Sequence, residues 1–371
     1  MSTSVPEFQP RSGPLAGVRL IEMEAIGPVP LAAMILSDLG AEVVRIARPA
    51  PGYWGEIGSA ILLRGRTTVP LDLKDPDQRD QLLDLIGGAE ALIEGGRPGV
   101  MERLGLGPDV CLERNPCLVY ARLTGWGQEG PLAKRAGHDI TYLAMTGALH
   151  AVGEPDRAPA VPLNLIGDYG GGTMFAALGI VSALLQARAS GVGQVVDVAM
   201  VDGVATLLSL YHELLAGSQW RDERGVNFLD GGAPYYRCYA CADGRYVAVG
   251  ALEPAFFAEL LDGLGIRRER YNQTDTAGWP QMAQDFTAAF ASAPRDEWER
   301  RFTGTDACVA PVLSLGEATE HPVNRARDVF VTRKNVTQAA PAPRFSATPA
   351  GIGIDSTATI GELVGRWRNP V

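Results

Sequence analysis

The sequence predicts an α/β fold on a parallel sheet followed by a separate α+β unit, and three observations predict it. Strand-like and helix-like segments alternate over the first 200 residues, hairpin character begins near Gly231, and the chain turns proline-rich and extended after residue 314. Alternating βα segments place parallel strands side by side with helices on both faces. With 371 residues, 46% hydrophobic and 20% charged, the chain is long and apolar enough to bury a sizeable core.

The elements follow in order. VRLIEM (18–23) reads as a strand, and Pro30 to Leu39 as an apolar helix opened by a proline in its first turn. EVVRIA (42–47) and TTVPLDL (67–73) are strands, and Asp75-Pro76 starts a helix running to about Gly88. ALIEG (91–95), a short helix around Gly99 to Leu104, and LVYARLTGW (118–126) continue the alternation. A glycine-rich loop at 167–172 opens an apolar helix over 173–188, followed by the strand QVVDVAM (194–200) and a helix over 201–216. Beyond Gly231, a hairpin turns at Ala242-Asp243-Gly244, and helices are expected near 254–264, 279–292 and 295–303. After VAPVLS (309–314) the extended stretch reads as a connector that docks on other surfaces, ending in a short helix near 360–367.

Composition removes several classes of function. The net charge is −10 and no basic stripe is present, which argues against nucleic acid and anionic membranes as partners. The N-terminus lacks an apolar run behind a basic flank, so it does not read as a signal peptide. The most apolar run, Met174 to Leu185, is short for a bilayer and interrupted by Gly179 and Ser182, so a buried helix is expected. Five cysteines, an odd number, are expected to be reduced thiols in a cytoplasmic protein. Cys238 and Cys241 form a CxxC, but three residues apart on a strand they face opposite sides, and no second pair completes a zinc site. No metal site is expected.

Three places stand out chemically. His138, one of four histidines, follows Gly137 in AGHDITYLAMTGALH at an expected helix start, where Asp139 would act as the cap. Spacing alone favours an ordinary helix-start residue there. Asp168 lies in GDYGGG, whose glycines would expose backbone N–H groups and allow a ligand to approach closely. Such donors aimed at developing charge are worth about 2.7–4 kcal/mol each. The plain alternative is a tight turn capped by Asp168. The motif is neither GxGxxG nor a Walker loop, which removes dinucleotides and nucleoside triphosphates. Glu253, before Pro254, has the position of a solvated helix-start acid. Arginines at 45, 48, 64, 66, 97 and 103 cluster near strand ends, where an open α/β sheet meets phosphate-bearing ligands.

Taken together, GPLAGVRLIEMEAIGPVPLAAMILSDLGAEVVRIARP, LIEGGRPGVMERLGLGP, YARLTGWGQEGP, AGHDITYLAMTGALH, PLNLIGDYGGGTMFAALGI, GVGQVVDVAMVDG, LDGGAPYY, ADGRYVAVGALEP and TDACVAPVL resemble the class III CoA-transferase (CaiB/BaiF) superfamily, and within it the α-methylacyl-CoA racemases. The subgroup rests mainly on GHD and GDYGGG. The resemblance implies a large Rossmann-like domain and a smaller α+β domain in an interlocked homodimer. Its boundaries would be 1–200 for the large domain (completed by 340–371), 201–230 for a linker, 231–312 for the small domain and 313–339 for a return linker.

The resemblance also implies proton transfer at the α-carbon of 2-methylacyl-CoA thioesters, with no cofactor beyond the coenzyme A of the substrate. His138 and Asp168 match the two catalytic bases, and Glu253 matches the acid that pairs with the histidine across the dimer. Arg48 and Arg103 match positions that hold the CoA phosphates, with Arg64 and Arg97 as neighbours. Gly137, Tyr142, Gly170 and Gly171 fall in the substrate-binding motifs, and backbone N–H groups at 168–170 would receive the enolate oxygen. RGRTTV (64–69) departs from the family's usual lysine-containing segment, which bears on CoA affinity. Racemisation needs bases on both faces of a planar enolate, so burial must bring a carboxylate and an imidazole to similar basicity. Met145 and Met200 could add a pliable apolar surface for the acyl chain. Two other readings remain open: a CoA-transferase in which Asp168 is the covalent nucleophile, and a catalytically silent CoA-binding protein.

Overall fold

A computed structural model describes residues 12–50, 52 and 58–368. The chain divides into two compact units. The first comprises residues up to Thr146, Leu163–Leu207 and Val329 onward; the second comprises Gly147–Pro162 and Leu208–Asp328. Residues 147–162, expected in the large domain, thus belong with the second unit. Arg224 fixes them there by donating to the carbonyls of His150, Glu154 and Arg157.

The first unit is built on strands β1 (Arg19–Met23), β2 (Glu42–Ala47), β3 (Arg66–Pro70), β4 (Ala91–Glu94), β5 (Val119–Thr124) and β6 (Gln194–Ala199). Among the described residues the sheet has seven parallel strands in the order β3-β2-β1-β4-β5-β6, with Ser356–Thr357 added outside β3. β2, β4 and β5 are buried along their whole length, as central parallel strands covered on both faces must be. The order reverses between β1 and β4, and ligands of open α/β sheets bind outside the strand C-termini at such a point.

The helices that shape this edge are α1 (Pro28–Asp38), α2 (Pro76–Ile86), α3 (Asp139–Thr146), α4 (Phe175–Ser190) and α5 (Met200–Leu207). α1 and α4 cover one face through Val29, Ala33, Leu36, Ala176, Ile180 and Ala183. α2 and the C-terminal helix Ile360–Arg368 cover the other through Leu82, Leu85, Ile86, Leu363 and Trp367. The proline-rich tail carries two strands unexpected from sequence, Phe330–Arg333 and Val336–Ala339, which form an antiparallel hairpin.

The expected glycine loop at 167–172 is instead helical. Residues Leu165–Met174 form a π-helical segment that runs into α4, giving a continuous helix of 26 residues. By length and composition it could cross a membrane, which corrects the shorter run expected from sequence, but half of it is buried in the fold. The glycines serve packing here. A Cβ on Gly203 would lie 2.0 Å from the carbonyl oxygen of Gly171, so the π-helical segment and α5 cross backbone to backbone.

In the second unit, Tyr236–Ala240, Tyr246–Gly250 and Val309–Pro311 form an antiparallel sheet. Helices Pro254–Leu264, Trp279–Phe290 and Arg295–Phe302 pack on it around Phe286, Phe290 and Trp298. Cys238 is exposed and Cys241 buried, the divergence their spacing predicts, and all five cysteines are free.

Candidate active site

A cleft of about 270 Å³ opens at the C-terminal edge of the sheet, at the β1/β4 reversal. Its walls come from the segments that follow three neighbouring strands: Ile26–Val29 after β1, Gly95–Pro98 after β4, and Gly125-Trp126 after β5. Gly137, His138, Tyr142, Asp168 and Met200 complete it. His138 and Asp168, 30 positions apart in sequence, therefore face one space.

His138 precedes α3, and its carbonyl accepts the N–H groups of Thr141 (2.8 Å) and Tyr142 (3.3 Å). Its own N–H donates to Oγ1 of Thr141 at 3.0 Å, which fixes the backbone beneath an exposed imidazole. Asp139, expected to cap its own helix, reaches elsewhere: its Oδ2 accepts the N–H groups of Gly167 at 2.7 Å and Asp168 at 2.8 Å. The Asp168 N–H is thus engaged, which removes it from the donors expected to receive an enolate oxygen.

The Asp168 carboxylate lies against Gly27, where an added Cβ would be 3.5 Å from Oδ2. Burial pushes its pKa up from the ordinary carboxylate value, the amide of Asn164 (3.3 Å) lowers it, the charge of Asp139 raises it, and His138 lowers it. Burial outweighs the amide because the carboxylate loses more hydration than one long hydrogen bond returns. Half-buried and raised, Asp168 moves towards imidazole basicity. Tyr142 is pushed up to about 12, first by burial and then by the charges of Asp168 and Asp139, against Arg97. Its ring meets Trp126 edge-on at 4.8 Å and lies close against Gly125, where a Cβ would fall 2.2 Å from it.

The arginines separate into two groups. Arg97 is exposed and lines the cleft. Arg48 and Arg103 are exposed beyond the lining, on segments that leave the same sheet edge. Arg64 does not fit its expected role. It is 1% exposed, pairs with Asp38 at 2.5 Å and donates to Gln338 and the Ala339 carbonyl, so it anchors the C-terminal hairpin instead of meeting a ligand. Gly170 and Gly171 also miss the cleft: Gly171 is buried against Met200 and Val204, and Gly170 abuts Leu207. Met145 is exposed outside the lining, whereas Met200 lies within it.

Sequence reasoning missed Arg135, Trp126 and Glu94. Arg135 lines the cleft two residues before Gly137. Glu94 is buried at the end of β4, accepts the Gly96 N–H at 2.6 Å and pairs with Arg122 at 3.0 Å, so it shapes the 95–98 wall. The ends of β4 and β5 beside the reversal were the available signal for both strand-end residues. Among the described residues no cluster of His, Cys, Asp and Glu is arranged to hold a metal ion. Glu253 lies in the second unit, exposed, at the N-cap of Pro254–Leu264 with no side-chain cap bond.

The family model of CoA-transferase family III matches residues 15–356. The chain belongs to that family. Among its curated relatives, this CoA-transferase family III chain is 45% identical to the mouse alpha-methylacyl-CoA racemase over 350 residues, 94% of this chain and 91% of that one. It is 42% identical to the human alpha-methylacyl-CoA racemase over the same shares. The succinyl-CoA--D-citramalate CoA-transferase of Chloroflexus aurantiacus is 34% identical over 91% of this chain and 89% of the relative. A crystal structure of a CAIB/BAIF family protein from Brucella suis shares the fold with a TM-score of 0.79 at 23% identity, covering 96% of this chain and 98% of that one.

Proposed function

We propose that this family member racemises 2-methylacyl-CoA thioesters by moving a proton at the carbon beside the thioester carbonyl. The observation that carries the reading is the shared cleft, in which an imidazole and a carboxylate shifted towards it face one space at the sheet's C-terminal edge. The higher identity to two alpha-methylacyl-CoA racemases than to the succinyl-CoA--D-citramalate CoA-transferase supports it.

In the proposed reaction one of His138 and Asp168 takes the α-proton, and the C–H electron pair moves into an enolate. The other gives a proton to the opposite face and regenerates the thioester with inverted configuration. The bases then exchange roles for the reverse direction. Similar basicity is what permits this, since a base far weaker than its partner would serve one direction only. Arg97, with Arg48 and Arg103 further along the edge, would hold the CoA phosphates. The thioester itself supplies the acidity, so the reaction as proposed calls for no further cofactor.

We also propose a homodimer in which Glu253 of the partner subunit orients His138. Support comes from the outer face of the long helix. Met174, Leu178, Val181 and Leu185, spaced i, i+4, i+7 and i+11, form one exposed apolar stripe, a pattern that marks an interaction surface.

The reading is tested by incubating one enantiomer of a 2-methylacyl-CoA and following the chirality of the acid released from it. Approach to an equal mixture is expected. Unchanged chirality, with CoA passing to a free carboxylic acid and a hydroxylamine-trapped adduct on Asp168, would establish a transferase instead.

A further inference from the structure

Asp139 is a buried charged group that the reaction above leaves without a role. It is 5% exposed; Oδ2 takes the two N–H groups of Gly167 and Asp168, and Oδ1 has no hydrogen-bond partner among the described residues. Its neighbour in sequence is His138. One residue is therefore joined to both proposed bases, to His138 through the main chain and to Asp168 through a side-chain clasp across 29 positions. Gly167 leaves no slack in the clasp, since a Cβ there would lie 2.8 Å from Asp139 Oδ2.

We propose that Asp139 is a positioning residue: its carboxylate clasps the start of the π-helical segment to α3 and so sets the gap between the imidazole of His138 and the carboxylate of Asp168. The clasp rests on the racemase reading only for what the gap is used for. A shift of 1 Å between reacting groups can lower a rate by about a hundredfold, so a gap that must suit one carbon with a base on each face needs such a fixture.

A charged clasp has a second consequence. The negative charge of Asp139 opposes ionisation of Asp168 and adds to the effect of burial. The other charged or titratable groups facing Asp168 are His138, which favours its ionisation, and Tyr142, with Arg97 acting on Tyr142. Gly27, just before α1, lies against the Asp168 carboxylate, and the neighbouring Gly171 and Gly172 meet Pro28, Met200 and Val204, none of which titrates. Asparagine at 139 would keep one acceptor oxygen while removing the charge, and alanine would remove both.

The experiment compares wild type, D139N and D139A by racemisation kinetics and by titrating the 13C-labelled Asp168 carboxyl, assigned by its absence in D168N. D139A is expected to lose about a hundredfold in kcat with KM within about threefold. D139N is expected to keep kcat within about tenfold while the Asp168 titration and the acid limb of its pH–rate profile move to lower pH. Wild-type kcat in D139A, a change confined to KM, or an Asp168 titration unmoved in D139N would overturn the proposal. If D139A does not fold, D139N decides. If wild type does not racemise, the functional reading fails while the titration still decides the hold of Asp139 on Asp168.

Discussion

Replacing Gly203 by alanine should damage activity from a position that touches no substrate. The new Cβ would sit 2.0 Å from the Gly171 carbonyl oxygen and 2.7 Å from its Cα. Ordinary contact begins at 3.4 Å, so α5 and the π-helical segment must part by about 1.4 Å, and neither side has a flexible group to yield. Overpacking of this kind costs about 1–3 kcal/mol. The segment pushed aside carries Asp168, so its carboxylate shifts against His138 by an amount that lowers kcat about a hundredfold. Urea unfolding measures the stability loss, and initial racemisation rates at saturating substrate measure kcat. Gly365→Ala, on the helix Ile360–Arg368 with nothing within 4 Å, is the control and should gain about 0.5–1 kcal/mol with activity unchanged. Gly203→Ala with full kcat despite lost stability would refute the coupling between this helix crossing and the site.

Three further outcomes follow from the same structure. Arg64→Ala should lower stability by about 3–5 kcal/mol through loss of the buried pair with Asp38, with KM for the CoA thioester unchanged; a raised KM in a fully stable variant would restore Arg64 to the binding surface. Leu178→Asp combined with Leu185→Asp should shift sedimentation from dimer to monomer and abolish racemisation, and an active monomer would contradict the proposed sharing of Glu253. Asp168→Asn should raise Tm at pH 7, because the folded state holds the Asp168 proton more tightly than the unfolded chain and loses stability as pH rises above 3.8. That gain should shrink as pH falls towards the ordinary carboxylate range, and a gain independent of pH would sink the assignment.

The strands were legible because central parallel strands are short apolar runs between turn signals. EVVRIA coincides with β2, and LVYARLTGW contains β5. Helices opening at Pro254, Trp279 and Arg295 likewise match those expected near 254–264, 279–292 and 295–303. The glycine run was misread because three glycines favour a loop locally, and only the tertiary crossing with Gly203 makes them helical. Arg64 was misplaced for a similar reason: its partner Asp38 lies on α1 and Gln338 lies 274 positions away, beyond any local pattern. His138 and Asp168 were named through their motifs, whereas Asp139 was read as a local cap. Its true partners are 28 and 29 residues on, a distance that spacing rules do not reach.

The claim on which the rest depends is that His138 and Asp168 exchange a proton with one carbon. Deuterium uptake at the α-carbon of a 2-methylacyl-CoA in heavy water tests it most directly. Wild type should label the α-position of either enantiomer, and His138→Ala and Asp168→Ala should each fall by about a thousandfold or more. Full labelling by both variants, or none by the folded wild-type protein with substrate bound, would contradict it.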